Sequence, residues 1–374
     1  MRLRSPITRP LDVEVFAVGA TDAQLCWRGL GRGAVTVEHD GAVVAKAPDA
    51  VLGTATVDDL RPGSSHGLTV RPDEGPPRHI RVDTLDPPPG AELGRFATLS
   101  DLHLGATSFG LLGLVKESSP VATHPHRCAQ AAVAEAVDWG AERLYLKGDL
   151  THKSRPEDWK MAGHFLDALP LPHHLILGNH DVQYTNQRPP ADAMAEIGHA
   201  RERIHVVDHP GLRVILVDFS KDTHPRGIIG AEADLVLDAA TVDTPVLLAT
   251  HFHFHRSVVP WFWPLGIGYR LGHRFLDRLR DVNPRVVVTT GHTHRNRAYS
   301  YAGVRITEVG SPKDYPGVWA GYAIYEGGLV QTVRRVAHPD ALAWTDRTRR
   351  AVAGVWGLWS PGTLAQRSLA HHWD

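Results

Sequence analysis

The chain has 374 residues, with 40 Lys and Arg against 41 Asp and Glu, and this length favours two domains with a sizeable core. A net charge of −1 argues against a general nucleic-acid or acidic-membrane binder, because such proteins need a surplus of basic side chains on one face. With 43% hydrophobic and 22% charged residues, the composition excludes a disordered chain. No apolar run is long enough for a transmembrane segment, and the first residues lack the apolar stretch of a signal peptide, so we expect a cytoplasmic protein.

Histidine is the unusual residue of this composition. The chain has 24 histidines, more than its 9 Phe and 8 Tyr together, which packing alone does not explain. This excess predicts a metal site. The two cysteines, Cys26 and Cys128, fall in different predicted domains, so a disulfide framework is excluded.

The N-terminal region predicts a small all-β sandwich. Asp40-Gly41 and Arg61-Pro62-Gly63 are turn signals between short β-rich runs. Trp27 and the segment 60–70 resemble a fibronectin type III domain, although His66 stands where that family usually has a tyrosine. The predicted strands are 12–18, 23–29, 34–39, 42–47, 54–60, 66–72 and 79–85.

A proline-rich segment, 86–90, can neither extend a strand nor begin a helix, so we place the end of the first domain at about residue 88. From 94 to 337 strand and helix patterns alternate, which predicts a layered α/β domain. Predicted helices are 126–140 and 161–169, and predicted strands are 95–100, 143–149, 173–178, 213–219, 244–250 and 285–291.

Residues 338–374 predict a helical C-terminal tail. Val352, Val355, Trp356 and Trp359 follow the i, i+3, i+4, i+7 spacing of one helical face. We expect a terminal helix docked on its own domain. A helix that binds a partner or a membrane surface is the alternative.

Five groups of polar residues directly follow predicted strands. Because α/β domains assemble their sites at the carboxyl ends of strands, we expect the groups to converge although they span almost 200 residues. Residues two apart project to one side of an extended chain, and glycines before three of the groups allow sharp turns. The groups are Asp101 with His103, Asp149, Asn179 with His180 and Asp181, His251, and His292 with His294.

Together the motifs DLH, GDL, GNHD, a single His after a strand and GHTH resemble the calcineurin-like metallophosphoesterase superfamily. The segment 147–181 is most similar to bacterial class III cyclic-nucleotide phosphodiesterases. The resemblance covers about 95–330 and implies a layered αββα sandwich that hydrolyses a small-molecule phosphoester. His152 stands three residues after Asp149, where purple acid phosphatases have a tyrosine and protein serine/threonine phosphatases begin Asp-Arg-Gly, so both identities are disfavoured.

The resemblance also implies a centre of two divalent or trivalent metal ions. Mixed carboxylate, amide and imidazole ligands suit Mn, Fe or Zn better than Ca or Mg. A hydroxide that bridges the metals would attack a phosphodiester, cyclic nucleotides included, while His180 assists the leaving oxygen and Asp181 orients His180. The first ion would be held by Asp101, His103, Asp149 and His294, and the second by Asp149, Asn179, His251 and His292.

Several alternatives stay open at this point. A phosphomonoesterase, a nuclease and a non-catalytic scaffold protein are the rival functions, and a homo-oligomer is compatible with the sequence. His253 is the alternative ligand to His251, while His152, His253 and His255 either contact substrate phosphate or have packing or surface roles. The segment 257–269, with Trp261 and Trp263, predicts either a lid or apolar wall over the site or a packed loop.

Overall fold

The computed structural model describes residues 13–110, 113–117, 123–183, 188–259 and 264–373. Its first seven strands form two facing sheets, with the orders β1-β2-β5 and β4-β3-β6-β7. Buried and exposed residues alternate along β5 and β6, and the buried side chains enclose Trp27 between the sheets. The predicted all-β sandwich is confirmed, while its relation to fibronectin type III domains stays a prediction. The strands are β1 (Val13–Val18), β2 (Ala23–Arg28), β3 (Arg32–His39), β4 (Ala42–Ala47), β5 (Leu52–Val57), β6 (Ser65–Glu74) and β7 (Arg78–Asp83).

Two six-stranded sheets form the rest of the molecule, together with a short hairpin of β9 (Ser108–Phe109) and β10 (Val115–Lys116). The first sheet has the order β12-β11-β8-β19-β20-β21, with β8 (Glu92–Leu99), β11 (Leu144–Lys147), β12 (His173–Ile176), β19 (Val318–Tyr325), β20 (Gly328–Arg335) and β21 (Ser368–His372). The second has the order β13-β14-β15-β16-β18-β17, with β13 (Ile204–His209), β14 (Leu212–Val217), β15 (Val246–Thr250), β16 (Val286–Thr290), β17 (Arg297–Tyr301) and β18 (Val304–Glu308).

The two sheets pack face to face and helices cover their outer faces. In β14, Val214 and Leu216 belong to the core between the sheets, whereas Ile215 and Val217 pack under the helices. Helices α1, α2 and α7 cover the first sheet, and α5 and α6 cover the second. This confirms the layered αββα fold. The helices are α1 (His124–Asp138), α2 (Pro156–Asp167), α3 (Asn179–Val182), α4 (Pro190–Glu196), α5 (Glu232–Ala240), α6 (Tyr269–Val282), α7 (Pro339–Thr348), α8 (Val355–Trp359) and α9 (Leu364–Arg367). None of the helices in the described ranges is long and apolar enough to cross a membrane.

The N-terminal sandwich is fixed to the larger unit by buried contacts. Phe16 of β1 lies in the core between the two large sheets. Gln24 donates from Nε2 to the Arg335 carbonyl at 2.8 Å, and Val18 N donates to Ser368 Oγ at 2.8 Å. The guanidinium of Arg367 donates to the Phe16 carbonyl at 2.7 Å. These bonds tie the first strands to the end of the chain.

The prediction of a helical tail over 338–374 is wrong in its last part. Helix α7 docks on the first sheet through Trp344, which is 2% exposed. After α9, however, Ser368–His372 is strand β21, which pairs antiparallel with β20. Strand β21 pairs with the backbone N–H and C=O groups on the side of β20 that faces away from β19, and it becomes the edge of the sheet.

Candidate metal centre

The five polar groups lie where the two large sheets meet at the carboxyl ends of their strands. Asp101, Asp149 and Asn179 follow β8, β11 and β12 of the first sheet, whereas His251 and His292 follow β15 and β16 of the second. Backbone bonds join the loops directly: Asp101 N donates to the Gly148 carbonyl at 3.0 Å, and Gly291 N donates to the His251 carbonyl at 2.9 Å. The convergence expected from the strand order is therefore present.

One group of donor atoms consists of Asp101, His103 and His294. His103 Nε2 lies 3.1 Å from His294 Nε2, and His294 Nε2 lies 3.3 Å from Asp101 Oδ1. Asp101 Oδ2 accepts a bond from His292 N at 2.9 Å, but its buried Oδ1 has no hydrogen-bond partner among the described residues. An unpartnered carboxylate oxygen beside two imidazole nitrogens fits a metal ligand.

The second group consists of Asp149, His251 and His292, with Asn179 beside it. His251 Nε2 lies 3.1 Å from His292 Nδ1 and 3.2 Å from Asn179 Oδ1. Asp149 Oδ2 is 3.4 Å from His251 Nε2 and 3.5 Å from His103 Nε2, so one oxygen faces both groups. Donors around an ion with bonds of about 2.0–2.2 Å are separated by roughly 3.0–3.5 Å, and these distances match.

Three of the histidines are oriented by a contact at their other ring nitrogen. His251 Nδ1 donates to the Lys147 carbonyl at 2.8 Å, and His292 Nε2 donates to the Leu265 carbonyl at 3.1 Å. His294 Nδ1 donates to Asp314 Oδ2 at 2.6 Å. Since carbonyl and carboxylate oxygens only accept, the ring nitrogen that faces the centre is the one that carries the lone pair when the ring is neutral.

Electrostatics prepare the carboxylates for a cation. Burial alone would raise the pKa of Asp101 and Asp149, but the neighbouring histidines His294 and His251 lower both. Burial opposes the charged form of His251 as well, yet Asp149 raises the pKa of His251 to about 9. Protons on these imidazoles therefore balance the carboxylates, and a bound metal would displace them.

Five of the twelve non-glycine residues with positive φ in the described chain belong to this site. Asp101, His103, Asp149, His292 and His294 have φ values of 60°, 48°, 52°, 68° and 53°. The expectation that DxH and HxH project from extended chain is therefore wrong, because the loops curl in the left-handed region. Such strain persists only where surrounding contacts hold it, and it concentrates at functional sites.

Two motif glycines are required by close packing of the loops. Gly148 has φ +85°, and a Cβ there would lie 2.7 Å from Gly178 N. A Cβ on Gly291 would lie 2.7 Å from Asp101 Oδ2. Any side chain at these positions would push one ligand loop away from its neighbour.

Comparison with known proteins agrees with this geometry, although no family model matches the chain. The curated protein glycerophosphodiester phosphodiesterase GpdQ of Enterobacter lignolyticus (strain SCF1) is 24% identical over 208 residues, which span 53% of this chain and 70% of that protein. The motif order and this relative together support the resemblance to calcineurin-like metallophosphoesterases.

Solved structures similar to this chain include PhoD and the purple acid phosphatase PPD1 from yellow lupin (Lupinus luteus) seeds. PhoD has a TM-score of 0.48 and 12% identity over 88% of this chain and 87% of that one. PPD1 has a TM-score of 0.46 and 12% identity over 87% of this chain and 72% of that one.

His180 stands beside the first group, with its ring 4.4 Å from that of His103. His180 Nδ1 donates to the His152 carbonyl at 2.6 Å, and His180 N donates to Asp149 Oδ1 at 2.8 Å. The expectation that Asp181 orients the His180 side chain is therefore wrong: the His152 carbonyl does so.

Asp181 instead ties two loops of the site together. Its carboxylate accepts bonds from Gly178 N at 2.9 Å, from Leu150 N at 3.2 Å and from Thr151 N and Oγ1 at 2.8 Å each. Burial and the nearby Asp149 raise the pKa of Asp181 to about 7 despite these donors. The carboxylate turns back to the start of its short helix, which is why it cannot reach the His180 ring.

The extra histidines take different positions. His251, rather than His253, lies among the donor atoms; His253 stacks on the His292 ring at 5.5 Å. His255 Nε2 accepts a bond from Gly266 N at 3.0 Å, which is a packing role. His152 joins His103 and His180 at the edge of the site.

Trp261 and Trp263 of the predicted lid lie outside the described residues. From the same segment, Leu265 accepts a bond from His292 Nε2 at its carbonyl and lines the cavity over the site. That cavity has a volume of about 780 Å³. Asp149, Asn179, His180, His292 and His294 form its floor.

Sequence reasoning missed Asp314 and the contribution of the C-terminal tail. Asp314 is fully buried and lies shortly after β18, which is parallel to β16 in the second sheet. The rule that polar residues after parallel strands converge could have included it. Nothing in the sequence indicated that Val352, Val355, Trp356 and Trp359 line the cavity rather than the protein core.

Proposed function

We propose that this protein is a dinuclear metal-dependent phosphodiesterase. The observation that carries the proposal is the position of Asp149 Oδ2, which lies within 3.5 Å of an imidazole nitrogen in each of the two donor groups. A single carboxylate oxygen between two sets of nitrogen and oxygen donors suits a bridging ligand. The two sets are Asp101, His103 and His294, and Asn179, His251 and His292.

Mn, Fe or Zn suits this mixture of imidazole, carboxylate and amide donors. Such a pair, when bound, supplies positive charge against the phosphate and lowers the pKa of water. Hydrolysis forms one P–O bond from water and breaks the P–O bond to the leaving alcohol, whose oxygen then takes a proton. His180 lines the cavity, and its Nδ1–H is held by the His152 carbonyl, so proton exchange with the leaving oxygen takes place at Nε2.

A diester fits the charge of the cavity better than a monoester. At neutral pH a phosphomonoester carries nearly two negative charges and a diester one. Arg295 is the only Lys or Arg among the described residues that line the cavity. The relative GpdQ is itself named a glycerophosphodiester phosphodiesterase, which also supports a diester.

The test compares bis(p-nitrophenyl) phosphate with p-nitrophenyl phosphate after the protein is reconstituted with Mn²⁺. We expect two bound ions per chain and faster turnover of the diester. His180→Ala should lower kcat by about 10²–10⁴-fold. Asp149→Asn should lower both metal content and activity, whereas Asp340→Asn, on an exposed turn of α7, is the matched control and should change neither.

Two results would contradict the proposal. A folded protein that binds no metal and hydrolyses neither ester would remove the enzymatic role. Faster turnover of the monoester would replace the diesterase by a phosphomonoesterase that uses the same metal centre.

A further inference from the structure

A segment of the C-terminal tail, between α7 and α9, forms one side of the cavity. The segment Val352–Trp359, the C-terminal wall, lines the same cavity as the donor groups through Val352, Val355, Trp356 and Trp359. Phe109 of the β9–β10 hairpin extends this apolar surface, with its ring 5.7 Å from that of Trp356. The Trp356 ring is 6.5 Å from the ring of His294. The polar floor and the apolar wall therefore belong to one continuous space.

The C-terminal wall is held in a strained backbone conformation. Val352, Ala353 and Gly354 have φ values of 52°, 54° and 89°, three left-handed residues in succession. A β-branched residue with positive φ is a genuine outlier, and surrounding structure must enforce it. The strained turn directs Val352 to the cavity instead of allowing one continuous helix from α7.

Asn296 fixes the C-terminal wall to the metal centre. It lies two residues after His294, and its backbone N donates to the Ser360 carbonyl at 2.9 Å. Asn296 Oδ1 accepts from Gly310 N at 2.8 Å, and Ser360 Oγ donates to the Trp356 carbonyl at 2.7 Å. The distance between donor groups and apolar surface is thus set by a rigid connection.

The apolar surface continues to the mouth of the cavity. Val352 is 50% exposed and Trp359 is 58% exposed although both line the cavity, and the adjacent Leu358 is 60% exposed. Large apolar side chains left half in solvent at a cavity mouth indicate a surface that a ligand covers.

Polar groups that would recognise a nucleobase edge are few. Thr293 Oγ1 already donates to Glu308 Oε2 at 2.8 Å, which leaves Gln183 and Arg295 as the polar lining side chains outside the donor groups and His180 in the described chain. This lining favours a hydrocarbon chain.

We propose that the substrate is an amphiphilic phosphodiester, whose phosphate contacts the donor groups while its alkyl or acyl chain lies along the C-terminal wall. The proposal rests on the diesterase function proposed above. It names the class of substrate, and it makes Val352 and Trp359 specificity-determining residues.

The test uses methyl, butyl and octyl p-nitrophenyl phosphates below their micellar concentrations, with Mn²⁺-loaded protein. Burial of each methylene is worth about fourfold in affinity, so burial of about three of the added methylenes should raise kcat/KM about 60-fold from the methyl to the octyl ester. Val352→Ala and Trp359→Ala should each lower the ratio of octyl to methyl rates. Leu235→Ala removes an exposed leucine of α5 and should leave this ratio unchanged.

Binding measured by calorimetry separates the two proposals. Methyl and octyl esters of methylphosphonic acid serve as stable probes. Suppose that the octyl ester binds more tightly than the methyl ester, that Trp359→Ala abolishes this difference, and that no diester is turned over. This result would support an alkyl-binding role of the C-terminal wall and refute the diesterase. Turnover of the methyl ester with no effect of chain length on rate or binding would refute the amphiphilic substrate. Preference for thymidine 5′-(p-nitrophenyl phosphate) over the octyl ester would also refute it, in favour of a nucleotide.

Discussion

Replacing Asp314 by Asn removes one negative charge behind His294, a proposed metal ligand, with almost no change in shape. Asp314 Oδ2 accepts from His294 Nδ1 at 2.6 Å and from Lys313 Nζ at 3.2 Å. Burial lowers the proton affinity of His294, but Asp314 and Asp101 outweigh it and raise the pKa of His294 to about 9. Because a proton and a metal use the same lone pair, Asp314→Asn should weaken both.

The expected effect on the metal is tenfold to a hundredfold, or about 1.4–2.7 kcal/mol, the usual cost of losing a partner behind a ligating histidine. Stability should fall too, since Lys313 is 4% exposed and would lose its counter-charge. Loss of one partner of a buried ion pair costs at most about 3–5 kcal/mol. The Phe109 ring, 5.0 Å from Lys313 Nζ, offsets part of this loss.

The measurement is the Mn²⁺ concentration for half-maximal activity, together with the free energy of unfolding of the metal-free protein. Asp22→Asn is the control for stability alone, because Asp22 of the N-terminal sandwich pairs with Arg334 of β20 at 2.7 Å. It should lower stability without changing the Mn²⁺ requirement. An Asp314→Asn protein that is less stable but needs no more Mn²⁺ would refute the orienting role of Asp314.

Three further predictions concern the fold. Gly148→Ala should cost at least about 2 kcal/mol of unfolding free energy and release metal. The control is Gly303→Ala: Gly303 has φ +89° but open space around it, so this variant should cost about 1 kcal/mol and retain metal. Burial lowers the pKa of His174 and His209 to about 4, so the unfolded chain binds protons between about pH 6.5 and 4 that the folded protein does not. Their contribution to stability is therefore complete above about pH 6.5 and lost as the pH falls through 4. Chemical denaturation across this range should show the free energy of unfolding decline. The double variant His174→Gln/His209→Gln should show a shallower decline. Arg367→Ala should destabilise the protein by about 3 kcal/mol and speed proteolysis of the N-terminal sandwich. The reason is that the Arg367 side chain, which is 1% exposed, donates to the carbonyls of Phe16 in β1 and of Gly362 before α9. Unchanged proteolysis would argue against that connection.

The layered fold could be predicted because its strands leave clear signals. The run 213–219 is almost wholly apolar, as expected for a strand covered on both faces, and β14 (Leu212–Val217) has four fully buried residues in succession. Polar residues then follow each such strand at once, so strand order and motif order predicted the same site.

The local geometry of the site could not be predicted from residue type. Positive φ is uncommon for residues other than glycine, and although Asp and His adopt it more often than most, residue type does not say which ones will. Asp101 and His103 are held there by backbone N–H groups that donate to carbonyls of the β11 loop at 3.0 and 2.8 Å. These partners lie more than 40 residues away in sequence. Only the assembled sheet brings them close enough to hold the strain.

Composition was weaker support for the metal site than motif order. Many of the 24 histidines lie elsewhere in the fold: His174, His205 and His209, for example, surround Tyr145 and Arg143 at the edge of the sheets. Burial lowers the pKa of His174 and His209 to about 4, and His209 Nε2 lies 2.6 Å from Tyr145 Oη, so these rings have partners of their own away from the donor groups. A count of histidines therefore indicates a metal site only when the positions in the chain agree.

The reaction and the choice of substrate are proposed to depend on different segments of the chain, which explains why the motifs indicate the reaction but not the substrate. The donor groups come from strand ends between Asp101 and His294, whereas the apolar surface comes from Val352–Trp359, which carries no motif. Helical spacing in that segment predicts an apolar stripe, but an identical stripe serves equally to fill a core or to line a cavity. What decides between them is the connection through Asn296 and the strained turn at Val352, both of which depend on tertiary structure. On this reasoning, substitutions in Val352–Trp359 should change which diester is hydrolysed while the metal requirement stays the same.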